Sequence, residues 1–252
     1  MAIREVSKRF GGLLALDAVT FDVDAGSIVG LIGPNGSGKT TLLNVLSAVS
    51  RPSGGTVTYN GTDVTRVATH DVCRLGIART FQIVKPFANL SVHENVAVGS
   101  MFGRNGRRRS TAQAFEAARA LLDVAGLARV ANRPASELTI ADRKRLEIAK
   151  ALALDPDLLL LDEVMAGLNA TEIDEALALL RSVNERGVTL IVVEHLMKAI
   201  MAISHRIVVL AEGRIIADGT PIDVTASPAV IEAYLGTRYA KRNRPPGPAA
   251  PP

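Results

Sequence analysis

The chain has 252 residues, of which 48% are hydrophobic and 21% are charged. This is enough for one globular unit with a sizeable core and appendages. The net charge of +4 fits phosphate ligands, nucleic acid or an anionic membrane surface without choosing among them. A single cysteine, Cys73, excludes an internal disulfide framework and is typical of a reducing compartment. With a charged start and no apolar run near the roughly 20 residues that span a bilayer, we expect a soluble, cytosolic protein.

The first quarter of the chain predicts strands separated by a phosphate-type loop and a helix. Residues 19–24 alternate apolar and polar side chains, which predicts a half-buried strand. The nearly continuous apolar run at 28–32 predicts a strand inside a core, and 41–49 follows as a helix. Residues 56–59 predict another strand, with the Asn-Gly pair at 60–61 as a hairpin turn. We therefore expect a segment of antiparallel sheet here.

The rest of the chain first becomes helical and then alternates strands with helices. Apolar residues recur at helical spacing between about 86 and 150, interrupted by a basic loop at 103–110. The later predictions are a strand at 158–163, a helix near 172–184, a strand at 189–195 and a hairpin at 206–219. Such alternation favours a parallel sheet with both faces covered. The Pro-rich end at 239–252 predicts a disordered tail.

One motif directly follows the strand at 28–32 and opens the next helix. It matches G-x4-G-K-[ST] at every position and consists of Gly33, Pro34, Asn35, Gly36, Ser37, Gly38, Lys39 and Thr40. The glycines let the backbone aim its N–H groups at phosphate oxygens. Lys39 supplies a positive charge to the outer phosphates, and the Thr40 hydroxyl is a ligand for Mg²⁺. The motif therefore predicts a nucleotide phosphate site.

Two carboxylates end the four-leucine strand that begins at Leu158. Asp162 is predicted to hold Mg²⁺, directly or through water. Glu163 is predicted to polarise an attacking water as a general base. The pair is only moderately specific alone, but together with the upstream phosphate loop it predicts nucleotide hydrolysis.

Together these motifs resemble the ATP-binding subunits of ABC transporters over roughly residues 2–238. ARTFQ ending at Gln82, AGLN at 166–169 and His195 closing TLIVVEH add to the match. The resemblance implies that Gln82 senses Mg²⁺ and the membrane subunit, that His195 contacts the γ-phosphate, and that Phe10 stacks on adenine. It also implies that Thr41 contributes to the nucleotide site and that a second ATPase subunit is met by a loop of Ala166, Gly167, Leu168 and Asn169.

The implied fold is an α/β P-loop NTPase with a mainly parallel core sheet and an antiparallel β subdomain. A helical subdomain at about 86–152 would be inserted in a single ATPase domain spanning 1–238. Segments 76–99, 145–152, 162–169 and 228–236 further resemble the ATPases of branched-chain amino-acid importers. This implies ATP and Mg²⁺ as cofactors and peripheral attachment at the cytoplasmic face of the inner or plasma membrane. It also implies partners: a second identical or related ATPase, permease subunits and, indirectly, a substrate-binding protein, but no nucleic acid.

The segment at 138–142 departs from the resemblance. The family commonly has Leu-Ser-Gly-Gly-Gln here, a signature loop that binds the nucleotide held by the other subunit, whereas this chain has Leu138, Thr139, Ile140, Ala141 and Asp142. Thr139 and Asp142 have capping-box spacing, so the helix start is preserved on one interpretation. On the other, side chains that replace two glycines impair the approach of phosphate. Both interpretations stay open, and repulsion by Asp142 is expected unless it caps its helix or is neutralised by Arg143 or Lys144.

Two alternative functions compete with an importer ATPase. A soluble ABC-type ATPase acting on DNA or ribosomes usually carries a long coiled-coil insertion or a second ATPase module, and the sequence shows neither. A regulatory or scaffold subunit without hydrolysis would fit the altered signature, but Glu163 and His195 argue against it.

Overall fold

The computed structural model describes residues 1–80, 86–102, 104 and 109–235, the side chain of Leu235 excepted. The strands in these residues are β1 (Ala2–Phe10), β2 (Leu13–Asp22), β3 (Ile28–Ile32), β4 (Gly54–Tyr59), β5 (Thr62–Asp63), β6 (Ile77–Arg79), β7 (Leu158–Asp162), β8 (Thr189–Val193), β9 (Arg206–Ala211) and β10 (Arg214–Gly219). The α-helices are α1 (Lys39–Leu46), α2 (Thr69–Arg74), α3 (Val92–Ser100), α4 (Thr111–Val124), α5 (Ile140–Leu152), α6 (Ala170–Glu185), α7 (Met197–Ile203), α8 (Pro221–Ala226) and α9 (Pro228–Leu235). None of these helices is both long and apolar enough to cross a membrane.

A six-stranded sheet forms the centre of the fold, in the order β10-β9-β3-β8-β7-β6. All neighbours are parallel except β10, which returns antiparallel to β9 as the predicted hairpin. Every residue of β3, β7 and β8 is buried, as expected for parallel strands with both faces covered. The predicted α/β fold with a mainly parallel sheet is confirmed.

A second sheet is antiparallel and has four strands in the order β2-β1-β4-β5. The predicted Asn60-Gly61 turn joins β4 to β5, and both residues have positive φ angles of 47° and 78°. These angles belong to the turn type that matches the right-handed twist of a hairpin.

The sequence patterns missed the first strand and gave wrong bounds for the second. No strand was predicted for β1, and β2 begins at Leu13 rather than at residue 19. In β1 the buried residues Ile3 and Val6 are three apart, because the register shifts between them. A β-bulge of this kind breaks the alternation on which strand prediction depends.

The buried apolar residues form three clusters. Two large apolar clusters cover the two faces of the six-stranded sheet, one with α6 and α7 and the other with α1 and the antiparallel sheet. A third cluster joins α3, α4 and α5 through residues such as Val96, Leu122 and Leu146. These three helices lie in the chain between β6 and β7, which are neighbours in the sheet.

Candidate nucleotide site

The candidate site lies where three neighbouring parallel strands end. β8 lies between β3 and β7, so the segments that follow these strands lie at one edge of the sheet. The phosphate loop follows β3, the two carboxylates end β7, and His195 follows β8. In open parallel sheets, this carboxyl edge is where ligands bind.

Two glycines of the phosphate loop occupy positions that other residues do not fit. A β-carbon on Gly33 would lie 2.0 Å from the Leu210 carbonyl oxygen. Gly38 has a φ of 105°, and its β-carbon would lie 2.6 Å from the Ala15 carbonyl oxygen. Gly38 precedes the first residue of α1, and no described side chain caps this helix start. The loop therefore leaves the N–H groups at the beginning of α1 directed toward a ligand.

Lys39 is buried at the base of the loop. Its Nζ donates to the carbonyl oxygens of Gly33 and Pro34 at 2.8 and 2.9 Å. Burial lowers the pKa of Lys39, while the carboxylates of Glu163 and Asp162 act in the opposite direction. The ammonium group is thus bound by its own loop and attracted by the predicted general base Glu163 and the predicted metal ligand Asp162.

A cleft of about 680 Å³ lies over the loop. Its lining combines an apolar end with a charged end and consists of Phe10, Leu13, Leu14, Ala15, Asn35, Gly36, Ser37, Gly38, Lys39, Thr40, Thr41, Glu163, His195, Glu212 and Gly213. Phe10 and Leu13 are 49% and 67% exposed at the apolar end. An exposed aromatic ring beside aliphatic side chains suits a flat base, and the opposite end suits phosphates.

Asp162 is held from one side by a buried arginine. Arg79 on β6 donates to Asp162 Oδ2 at 2.9 Å, and both side chains are almost fully buried. The same guanidinium donates to Asn44 of α1 and to Ser47, the residue that follows this helix. The other oxygen, Asp162 Oδ1, is buried and has no hydrogen-bond partner among the described residues. Because buried carboxylate oxygens are rarely left unpaired, Oδ1 is a candidate metal ligand.

Glu163 contacts His195 directly, with 2.6 Å between Glu163 Oε1 and His195 Nε2. Its backbone has a φ of 52°, an uncommon conformation for a residue with a side chain. Such conformations cost on the order of 1–3 kcal/mol and cluster at functional sites. Side chains from the ends of β7 and β8 are therefore brought together beside Lys39.

The remaining predicted residues lie in three places. Thr40 and Thr41 follow Lys39 in the first turn of α1 and line the cleft. The loop of Ala166, Gly167, Leu168 and Asn169 forms a largely exposed turn before α6, and Asn169 caps that helix. Gln82, predicted to sense the metal, lies outside the described residues.

The segment at 138–142 starts helix α5. Leu138 and Ala141 are buried, Ile140 is 62% exposed, and Thr139 accepts a hydrogen bond from the Asp142 backbone N–H. The predicted capping box is only half present, because the Asp142 carboxylate does not return to the Thr139 backbone. It accepts instead from Arg129 at 2.9 and 3.1 Å.

Asp142 is paired, but with Arg129 rather than with Arg143 or Lys144, the two neighbours considered from the sequence. Arg143 donates to the Ser136 carbonyl, and Lys144 donates to the Glu163 carbonyl at 2.8 Å. Arg129 reaches Asp142 because a short 3₁₀ turn at Ala128–Val130 lies beside the first turn of α5.

Sequence reasoning missed three residues near these segments: Arg79, Arg129 and Glu194. Glu194 is 3% exposed, and its Oε1 accepts from the Met165 backbone N–H at 2.7 Å. Burial raises the pKa of Glu194, against hydrogen bonds from the backbone N–H groups of Met165 and His195. The available signal was a charged residue at the end of a short apolar strand for Arg79, and directly after one for Glu194.

Comparison with known proteins agrees with this geometry. A family model described as ABC transporter matches residues 16–166, more than half of the chain. The chain belongs to the ABC transporter family. A second model, described as branched-chain amino acid ATP-binding cassette transporter, matches residues 214–240. The chain is thus an ABC ATPase, as its phosphate loop and carboxylate strand predicted.

Three curated relatives have similar identity but different coverage. The high-affinity branched-chain amino acid transport ATP-binding protein LivG of Salmonella typhimurium is 39% identical over 250 residues, covering 94% of this chain and 97% of LivG. The corresponding protein BraF of Pseudomonas aeruginosa is 38% identical over 248 residues, with the same two shares. The sulfate/thiosulfate import ATP-binding protein CysA of Mycobacterium bovis is 39% identical over 239 residues, covering 94% of this chain but 66% of CysA.

Solved structures show the same fold. The ADP conformation of MJ1267, an ATP-binding cassette of an ABC transporter, has a TM-score of 0.84 and 28% identity, covering 93% of this chain and 98% of that one. The dimeric bacterial ABC transporter cassette MJ0796 has a TM-score of 0.78 and 26% identity, covering 87% and 98%. This ABC ATPase therefore shares its architecture with cassettes that bind ADP and that form dimers.

Proposed function

We propose that this ABC ATPase powers the import of branched-chain amino acids through separate permease subunits. The observation that supports hydrolysis is the contact between Glu163 and His195 in the cleft that contains Lys39. Support for the substrate comes from the match at residues 214–240, because identity alone is the same for LivG and CysA. Coverage of 97% of LivG but 66% of CysA also favours the amino-acid class.

The chain's own residues supply most of the proposed chemistry. ATP would lie with its base against Phe10 and its phosphates on the loop at 33–40, where Lys39 offsets their charge. Glu163 would take a proton from the water that attacks the γ-phosphorus, and the bond to ADP would break. His195 would orient the Glu163 carboxylate and contact the γ-phosphate.

The residues present also fit a magnesium ion. Asp162 Oδ1, the Thr40 hydroxyl and Gln82 are the proposed ligands, and of these Oδ1 is a buried acceptor without a described partner. The described residues contain no group of three or more His, Cys, Asp and Glu side chains that could hold a metal ion. Mg²⁺ does not need such a group, because proteins bind it through one or two carboxylates together with waters and phosphate oxygens. When bound, the ion neutralises charge that develops on the phosphates.

The proposed assembly follows from the likeness to transporter ATPases. A second ATPase subunit, identical or related, would face the cleft, with the turn at 166–169 at the contact. Two permease subunits would place the chain at the cytoplasmic face of the inner or plasma membrane, and a substrate-binding protein would deliver the amino acid to them. Residues 1–238 would form one ATPase domain with an inserted helical subdomain at about 86–152, followed by the tail at 239–252.

Uptake tests the proposed substrate. Cells that lack their own branched-chain importer would receive this chain together with its permease and substrate-binding subunits. Uptake of labelled leucine, isoleucine or valine is expected with the wild type and is lost with Glu163→Gln. Uptake of labelled sulfate but not leucine would assign the chain to the other importer class, and ATP turnover without any uptake would support a soluble ATPase.

A further inference from the structure

Glu194 connects two segments of the site without lining the cleft. It follows β8, directly before His195, and its carboxylate accepts the backbone N–H of Met165 at 2.7 Å. The backbone N–H of His195, the next residue in the chain, also acts on this carboxylate and, like that of Met165, opposes the rise in its pKa. Met165 lies two residues after Glu163, so one buried carboxylate joins the backbone behind Glu163 to the backbone of His195.

Further hydrogen bonds hold the backbone of Glu163. Its N–H donates to the Val193 carbonyl at 2.9 Å, and its carbonyl accepts from Lys144 Nζ at 2.8 Å. These contacts come from β8 and α5, and together with Glu194 they surround the residue whose φ is 52°. A residue with a side chain keeps such a backbone conformation only when its surroundings fix it from several directions.

We infer that Glu194 is a positioning residue, which holds the two segments so that the Glu163 carboxylate and the His195 ring meet. The inference rests on the proposed function, since it assigns a role in the same hydrolysis. A bond of 2.6 Å between Glu163 and His195 depends on the spacing of two separate loops. Misplacing a catalytic group by about 1 Å costs on the order of 100-fold in rate.

The chemistry of the carboxylate provides a graded series of variants. A carboxylate has two acceptor oxygens, whereas the amide of Gln has one oxygen acceptor and an NH₂ group that cannot accept. Glu194→Gln should therefore keep the hydrogen bond from the Met165 N–H but offer no second acceptor oxygen, and Glu194→Ala should lose both acceptors. Neither substitution alters a residue that lines the nucleotide cleft.

The test uses the full chain assembled with its permease partners and compares kcat, the Kd for ATP and Tm. Glu194→Ala is expected to lower kcat at least about tenfold, within the range for misplaced catalytic groups, and Glu194→Gln to lower it less. The Kd for ATP should stay within about threefold, because the phosphate loop is unchanged. The matched control is Glu147→Ala, which removes another buried glutamate, paired with Lys150 and away from the cleft, and should lower Tm without lowering kcat.

A double-mutant cycle distinguishes positioning from a general structural role. If Glu194 acts through His195, Glu194→Ala should lower kcat by no more than about twofold in a His195→Ala background. Independent, multiplying effects would overturn the inference, as would a lower Tm with unchanged kcat per ATP-binding molecule. If Glu194→Ala does not fold, the same cycle with Glu194→Gln decides. Full activity of both Glu163→Gln and His195→Ala would instead overturn the proposed site roles.

Discussion

Helix α1 begins at Lys39 behind a glycine, whereas helix α5 begins at Ile140 behind Thr139. The first turn of α1 contains no acidic residue, and no described side chain caps it. In α5, Thr139 caps the first turn, which also contains Asp142. A helix start attracts anions through its free N–H groups and its dipole. In α1 both remain available to a ligand, whereas in α5 Thr139 accepts one N–H group and Asp142 offsets part of the dipole.

In the expected dimer, each nucleotide would lie between the phosphate loop of one subunit and the segment 138–142 of the other. The difference between the two helix starts indicates how much each of them can contribute to binding. The cleft over α1 is lined by the glycines, the lysine and the Glu163 carboxylate of the predicted phosphate site. The segment at 138–142 is stabilised as a helix start, and Asp142 is neutralised by Arg129 rather than left to repel a phosphate. Phosphate binding should therefore depend strongly on the first region and weakly on the second.

The largest expected effect is that of Glu163→Gln, which keeps the size of the side chain but removes its basicity. Steady-state hydrolysis should fall by several orders of magnitude in the assembled transporter, because no general base remains, while ATP binding is retained. Glu212→Gln is the matched control, since Glu212 lines the same cleft and also has a positive φ of 48°. Turnover of Glu163→Gln close to that of the wild type would remove Glu163 from the role of general base.

Lys39→Ala should weaken ATP binding by about 10- to 150-fold. This range corresponds to about 1.5–3 kcal/mol for a hydrogen bond to a charged group. Equilibrium titration with a fluorescent ATP analogue measures the loss. The control is Arg109→Ala, because Arg109 donates to the carbonyl of Ser100, the last residue of α3, and does not line the cleft. An equal loss in the two variants would mean that the phosphates do not lie over α1.

Local sequence predicted the α1 region well, because eight consecutive residues specify the loop and the neighbouring strands are short apolar runs. Bulges concealed β1, whose buried residues do not alternate. The supporting ion pairs and hydrogen bonds could not be predicted, because they join residues far apart in the chain. Arg79 and Asp162 are 83 positions apart, and Met165 and Glu194 are 29 apart.

Arg129→Ala tests the charge balance of the α5 region. Asp142 would remain buried without its cation, and the free energy of unfolding should fall by about 1–3 kcal/mol. This is less than for a fully buried pair, because the Arg129 side chain is 65% exposed. Chemical denaturation measures the change, and adding Asp142→Asn should recover part of it. Full stability of Arg129→Ala would show that the pair contributes nothing.

Ile140→Gly tests whether the bulk of this side chain limits ATP-dependent pairing of two subunits at the segment 138–142. Ile140 is 62% exposed, so its removal costs mainly helix propensity, about 0.5–1 kcal/mol. If the side chain obstructs a phosphate of the facing subunit, ATP-dependent pairing of two subunits should tighten by up to about tenfold, or about 1.4 kcal/mol. Analytical ultracentrifugation with ATP and a non-hydrolysing Glu163→Gln background measures it. Ile140→Ala keeps the β-carbon and so distinguishes its effect from that of the outer side-chain atoms. Unchanged pairing in both variants would exclude obstruction by Ile140.

Asp142→Gln should have the smallest effect on pairing. An unshielded carboxylate about 4 Å from a phosphate charge would cost on the order of 4 kcal/mol at an effective dielectric near 20. Arg129 lies 2.9 Å from Asp142 Oδ1 and offsets the charge of that carboxylate. Replacing Asp142 by Gln should therefore change ATP-dependent pairing by less than about twofold, which is under about 0.5 kcal/mol. Tm should fall, since Gln cannot pair ionically with Arg129. Markedly tighter pairing without loss of Tm would mean that the carboxylate does face the phosphate, and that the two helix starts differ in charge rather than in bulk.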